Sequence, residues 1–218
     1  MRNRFGHAME ELKEDIIEMS GIIESTISQA MHALGDCNFE LARQIAKSDD
    51  YADQLELAIE RRALRILLSQ QPVASDLRTI STAFKMITDM ERICDQAADI
   101  AEIVLSFEGV EMIKKPTHIM KMAENCVIMT SKAIDSFVTA NLALAQEVIA
   151  FDDVIDDLFL TIRSELIEMI SKDASCGEQA VDFLMIAKYL ERIGDHAQNI
   201  AEWCIFSITG EHKSQRVL

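Results

Sequence analysis

Apolar residues recur along this chain at spacings of three and four, as in Leu55, Ile59, Leu64, Leu67 and Leu68. That is the period of a helix that buries one face. The pattern is interrupted at Gly35-Asp36, Gln71-Pro72, Gly109 to Pro116, Ala140-Asn141, Ser171 to Gly177 and Gly210. These breaks leave six segments, most of them about 22 to 35 residues long. A helix of 30 residues is about 45 Å long, and helices of that length joined by short loops pack as antiparallel neighbours in a bundle. The expected fold is therefore all-α. Composition agrees, because the 7 glycines and 2 prolines of 218 residues supply too few turns for a sandwich or an α/β fold.

The pattern also repeats. Residues 30–55 align with 133–158 at an offset of 103, with Ala30/Ala133, Asn38/Asn141, Leu41/Leu144, Asp49/Asp152, Asp50/Asp153, Asp53/Asp156 and Leu55/Leu158 identical. After a three-residue contraction near 171–177 the offset becomes 100. There ERICDQAADIAE (91–102) meets ERIGDHAQNIAE (191–202). A duplicated unit of three helices follows, with residues 1–110 expected as the first bundle and 111–218 as the second.

The acidic residues within the repeat carry the candidate chemistry. At about 100° per residue, Glu91, Asp95, Asp99 and Glu102 fall at roughly 0°, 40°, 80° and 20° around their helix, opposite Ile93, Ala97, Ile100 and Ala101. Glu191, Asp195, Asn199 and Glu202 take the same places in the second repeat. Like charges one turn apart repel, so such a stripe calls for a cation or for abundant water. Oxygen ligands of this kind suit magnesium, calcium, manganese or ferrous iron. A solvated acidic face is the alternative, weakened by repetition of the spacing in both units. Asp49, Asp50 and Asp53, echoed by Asp152, Asp153 and Asp156, begin a second acidic stripe. That stripe reads either as further ligands or as acids complementing a helix N-terminus.

Charge and motifs exclude several classes. The formal net charge of −16 disfavours binding to nucleic acid or to an anionic membrane surface. The longest uncharged run, Ser136–Gln146, is too short to span a bilayer. The first twenty residues carry Glu10, Glu11, Glu14, Asp15 and Glu18 in place of a signal peptide's apolar run, so a cytoplasmic protein is expected. An odd five cysteines without C-x-x-C reads as core or helix-face thiols in a reducing compartment. No histidine has Glu three residues before it, which removes the ferritin-like di-iron pattern. Phosphate-loop, serine-hydrolase and zinc-protease motifs are missing too. His196, off the stripe, is read as a surface or interface residue, the twelve methionines as core, Trp203 as a helix-contact anchor, and Arg61, Arg62 and Arg65 as a solvated face with local ion pairs.

QQPVASDLR (70–78) leading to ERICD, YLERIGDHAQNIAEW (189–203), and the paired openings DDYADQL and DDVIDDL resemble the PhoU family of bacterial and archaeal phosphate regulators. The likeness covers nearly the whole chain. It implies two three-helix bundles, each with an E/D-x-x-x-D metal motif. Here those are Glu91 with Asp95 and Glu191 with Asp195, with Asp99 and Asn199 one turn on; Asp50, Asp53, Asp153 and Asp156 are possible additional ligands. It also implies iron, zinc, manganese or magnesium as the metal. The implied role is a non-enzymatic adaptor that represses the phosphate-starvation response and phosphate uptake. Its partners would be a sensor histidine kinase and the ATPase component of the phosphate ABC transporter, with membrane association only through them and a possible homodimer. Two residues depart from the family pattern: Cys94 stands where the first motif has glycine, and Asn199 stands where an acid is found at Asp99. A carboxylate–metal hydrolase and a plain helical scaffold are the competing expectations.

Overall fold

The computed structural model of the chain describes residues 2–47, 49–70, 72–113 and 115–211, with the side chains of 2, 3, 49, 50 and 70 outside that description. The helices are α1 (Arg2–Gly35), α2 (Phe39–Ile45), α3 (Asp49–Gln70), α4 (Ala74–Val104), α5 (Thr117–Val138), α6 (Leu142–Lys172) and α7 (Gly177–Thr209). Short 3₁₀ turns cover Leu105–Phe107 and Ala174–Cys176. No strand occurs among the described residues.

The periodic pattern foresaw six segments, and the second of them is divided. In the second repeat α6 runs unbroken from Leu142 to Lys172, whereas its counterpart is split into α2 and α3. The sequences differ at the break. Ile149 and Phe151 of α6 pack against the core, while the matching positions in the first repeat are Ala46 and Ser48, with Lys47 between them. The first repeat thus has smaller and more polar residues at these positions, although Ala46 still packs against the core.

The turn that opens this segment is the same in both repeats. Cys37 and Ala140 adopt left-handed backbone, with φ of 51° and 50°. The next amide reaches back five residues, Asn38 N to Ala33 O at 2.9 Å and Asn141 N to Ser136 O at 2.8 Å, as in a Schellman stop. Each asparagine then caps the following helix, its side-chain oxygen accepting from Leu41 N and from Leu144 N at 3.1 Å. The identity of Asn38 and Asn141 in the repeat thus has a structural cause.

α1, α4, α5 and α7 form the centre of the molecule, with α3 packed outside α1 and α4 and α6 outside α5 and α7. The most extensive helix contact joins the two repeats through α4 and α7, which run antiparallel; α1 and α5 make a second contact. Ile16, Ile23 and Ile27 of α1, Met86, Met90 and Ile93 of α4, Met129 of α5 and Ile186, Leu190 and Ile193 of α7 are all fully buried in one continuous core. Burying a side chain of that size is worth about 1.5–3 kcal/mol, so the repeats share an interior. Trp203 packs on that core, its backbone carbonyl accepts a hydrogen bond from Thr82 Oγ1 at 3.3 Å, and its ring meets Phe206 edge-on. Arg62 is not part of a solvated face: it is partly buried and bridges α3 to α1 through Glu11 and Asp15. Four of the five cysteines are buried and Cys37 is exposed.

Candidate metal centre

The outer helix of each repeat crosses the helix that carries the acidic stripe, and their carboxylates meet there. In the first repeat, Asp53 on α3 and Glu91 and Asp95 on α4 each place a carboxylate oxygen within 4.8 Å of the others. Oxygens bound at 2.0–2.6 Å to one hard cation lie at most about 4–5 Å apart, so these three converge on a space of the right size. Glu56, one turn along α3 from Asp53, adds a fourth charge.

Their surroundings make the ionised state costly. Only 17% of the Glu91 side chain is exposed. Burial raises its pKa from 4.5 to about 7, helped by Asp95 and opposed by Arg92. Burial likewise raises Glu56, with Asp53 and Glu60 adding to it. Arg92 bonds Asp95 at 2.9 Å and Glu91 at 3.5 Å, but its side chain is 56% exposed and reaches the cluster from the rim. Desolvated carboxylates that repel one another are stabilised by a proton or by a cation. The residues therefore fit the divalent metal that the sequence resemblance implies, with Asp53, Glu91 and Asp95 as the holding groups and Glu56 beside them.

The second repeat presents Asp152 and Asp156 on α6 and Glu191 and Asp195 on α7. Burial pushes Asp152 up to about 6, with further contributions from Asp156, Asp195, Asp153 and Glu191. Asp195 is raised by burial and by Glu191. Lys188 forms an ion pair with Glu191 and lies 5.5 Å from the centre of the Phe159 ring.

Two predicted ligands are turned elsewhere. Asp99 faces Tyr189, whose hydroxyl pKa is raised by burial and by the Asp99 charge, and Asn199 Nδ2 reaches Asp89 Oδ1 at 3.4 Å. Both contacts lie at the junction of α4 and α7, where Asp89 also meets His196 Nδ1 at 2.8 Å. At roughly 80° on the helical wheel these positions face the partner repeat rather than the outer helix. Asp50 belongs to the first turn of α3, and its side chain lies outside the described residues. Asp153 is exposed and acts on the second cluster through its charge on Asp152. Asp152 belongs to the second acidic stripe of the sequence, whereas Glu56 and Lys188 were missed as site residues. Their signal was available: each lies three or four residues from an identified acid on the same helix face.

Cys94 has a steric counterpart. A Cβ on Gly194 would stand 3.2 Å from Ile155 Cγ2. The position matching Ile155 in the first repeat is Ala52, which with Cys94 and Ala98 lines a cleft of about 500 Å³ beside the first cluster. Large and small have exchanged across the crossing.

The PhoU domain model matches this chain twice, over residues 16–104 and 119–204. The chain belongs to the PhoU family. It is 37% identical over 211 residues to the "phosphate-specific transport system accessory protein PhoU homolog" of Clostridium acetobutylicum, covering 96% of each chain. A protein of the same description from Pseudomonas aeruginosa is 32% identical, covering 95% of this chain and 86% of that one. The crystal structure of PhoU from Pseudomonas aeruginosa superposes with a TM-score of 0.89 at 31% identity, covering 95% of this chain and all of that one. The structure of the phosphate transport system regulatory protein PhoU from Streptococcus pneumoniae gives 0.88 at 26% identity, covering 95% and 98%. The tandem helical architecture is that of the family. Among the described residues no helix is long and apolar enough to cross a membrane.

Proposed function

We propose that this protein is a metal-binding cytoplasmic adaptor that restrains phosphate-starvation signalling and phosphate uptake. Its partners would be a sensor histidine kinase and the ATPase component of a phosphate ABC transporter, and its own action would be non-enzymatic. Support comes first from similarity over nearly the full length to proteins named as accessory or regulatory components of phosphate transport. The observation that carries the metal part is the convergence of exposed Asp53 with the partly buried Glu91 and Asp95, three carboxylates met by Arg92 from the rim. A cation there, one of iron, zinc, manganese or magnesium, would neutralise the cluster and brace α3 against α4. It would also set how much negative potential that side of the bundle presents to a basic partner surface.

The test has two arms. Deleting the gene in its host should switch on a phosphate-starvation reporter in phosphate-rich medium, and the wild-type gene should restore repression. Affinity capture from detergent extract, with and without chelator, should recover the kinase or the transporter ATPase, with recovery lowered by chelation. A reporter that stays silent in the deletion strain would refute the regulatory role. Phosphoester turnover that vanishes in an Asp95→Asn variant would favour a hydrolase instead.

A further inference from the structure

The repeats place matching acids at matching positions, yet among the described residues only the first repeat closes three carboxylates on one point. Asp53, Glu91 and Asp95 have the counterparts Asp156, Glu191 and Asp195. What differs is their neighbours. Position 88, one turn before Glu91, is a threonine, an uncharged side chain whose hydroxyl bonds back to the Phe84 carbonyl at 3.5 Å. Its counterpart is Lys188, whose ammonium is bound to Glu191. Glu56 in turn is replaced by Phe159, over which the lysine is seated at 5.5 Å. Both changes act in one direction: a carboxylate becomes a ring, and a hydroxyl becomes a cation held in place by that ring.

We infer that Lys188 is a built-in counter-ion that keeps Glu191 from metal, so that the two repeats are unequal cation sites and the first is the stronger. The inference rests on the metal reading proposed above. Arg92 does not do the same in the first repeat. It pairs chiefly with Asp95 from the exposed rim, and the three carboxylates still converge. An ammonium already bonded to a carboxylate must be displaced before a metal can use that oxygen, and the loss of that bond is charged against metal affinity.

Manganese(II) binding measured by equilibrium dialysis, with free ion read by electron paramagnetic resonance, tests this directly. In a Glu91→Gln/Asp95→Asn background, which isolates the second repeat, Lys188→Thr should tighten Mn²⁺ binding tenfold or more. The reciprocal Thr88→Lys in the otherwise native chain should weaken the tighter class of sites by a similar factor. Lys132→Thr removes the same charge from a pair with Glu147 and should leave both classes unchanged. If Lys188→Thr loses helicity by circular dichroism, Lys188→Met keeps the aliphatic stem over Phe159 and replaces it. Second-repeat affinity unmoved by either variant, moved equally by Lys132→Thr, or equal to that of the first repeat in the native chain overturns the inference. Failure of native protein and every variant to bind Mn²⁺, zinc or ferrous iron overturns the metal reading itself.

Discussion

Glu91 offers a direct measure of how far the first cluster is built for a cation. Its carboxyl is held at about 7 in the folded chain against an ordinary value of 4.5, chiefly by burial and by Asp95. A raised carboxyl binds its proton more tightly in the folded than in the unfolded state. Its contribution to stability is therefore complete at and below about pH 4.5 and is lost as pH rises through about 7. The full difference would be about 3 kcal/mol, and solvent and Arg92 at the rim reduce the expected loss to about 1–3 kcal/mol. Glu91→Gln keeps the shape and removes the charge. In chelator the variant should match the wild type at pH 5 and exceed it by about 1–3 kcal/mol at pH 8. That is a shift of about 0.5–1.5 M in the urea midpoint for a slope near 2 kcal/mol/M. Asp152 titrates in both proteins and cancels in the comparison. Saturating Mn²⁺ should reverse the order, since a ligand at a hundred times its Kd adds about 2.7 kcal/mol to the protein that keeps Glu91. A variant less stable than wild type at pH 8 in chelator, or a difference independent of pH, would refute the account of a desolvated and mutually repelling cluster.

Three further outcomes follow from packing and turns. Gly194→Cys should cost about 1–3 kcal/mol by crowding Ile155, and in an Ile155→Ala background the same change should cost at least 1 kcal/mol less; additivity in thermal melts would show that the two do not compete for space. Ala140→Gly relieves a left-handed φ of 50° and should stabilise by about 0.5–1 kcal/mol, whereas Asn141→Ala removes a helix cap and should cost about 1 kcal/mol; urea titration of each variant distinguishes gain from loss. An Asp89/His196 double-mutant cycle should return a coupling of about 0.5–1 kcal/mol for a partly buried pair, and a coupling of zero would mean that this contact does not help join the repeats.

Much of this was present in the one-dimensional pattern. Helical period, scarce glycine and the two internal offsets determine an all-α tandem repeat, because burial of a stripe at spacing three and four has no other economical solution. The same offsets marked Glu91, Asp95, Glu191 and Asp195, since charges on a helix face are placed by their own backbone. What a single helix cannot specify is which neighbour each face meets. On the wheel Asp99 sits within the acidic arc, yet the crossing of α4 with α7 turns it to Tyr189. Asp53 and Glu56 join Glu91 only because α3 crosses at that height. The exchange of Cys94 and Ala52 for Gly194 and Ile155 and the seating of Lys188 on Phe159 are likewise decided by contacts between helices far apart in sequence. Local periodicity determines the elements and their polar faces; the tertiary crossings decide which acids are brought together and which of them already hold a partner.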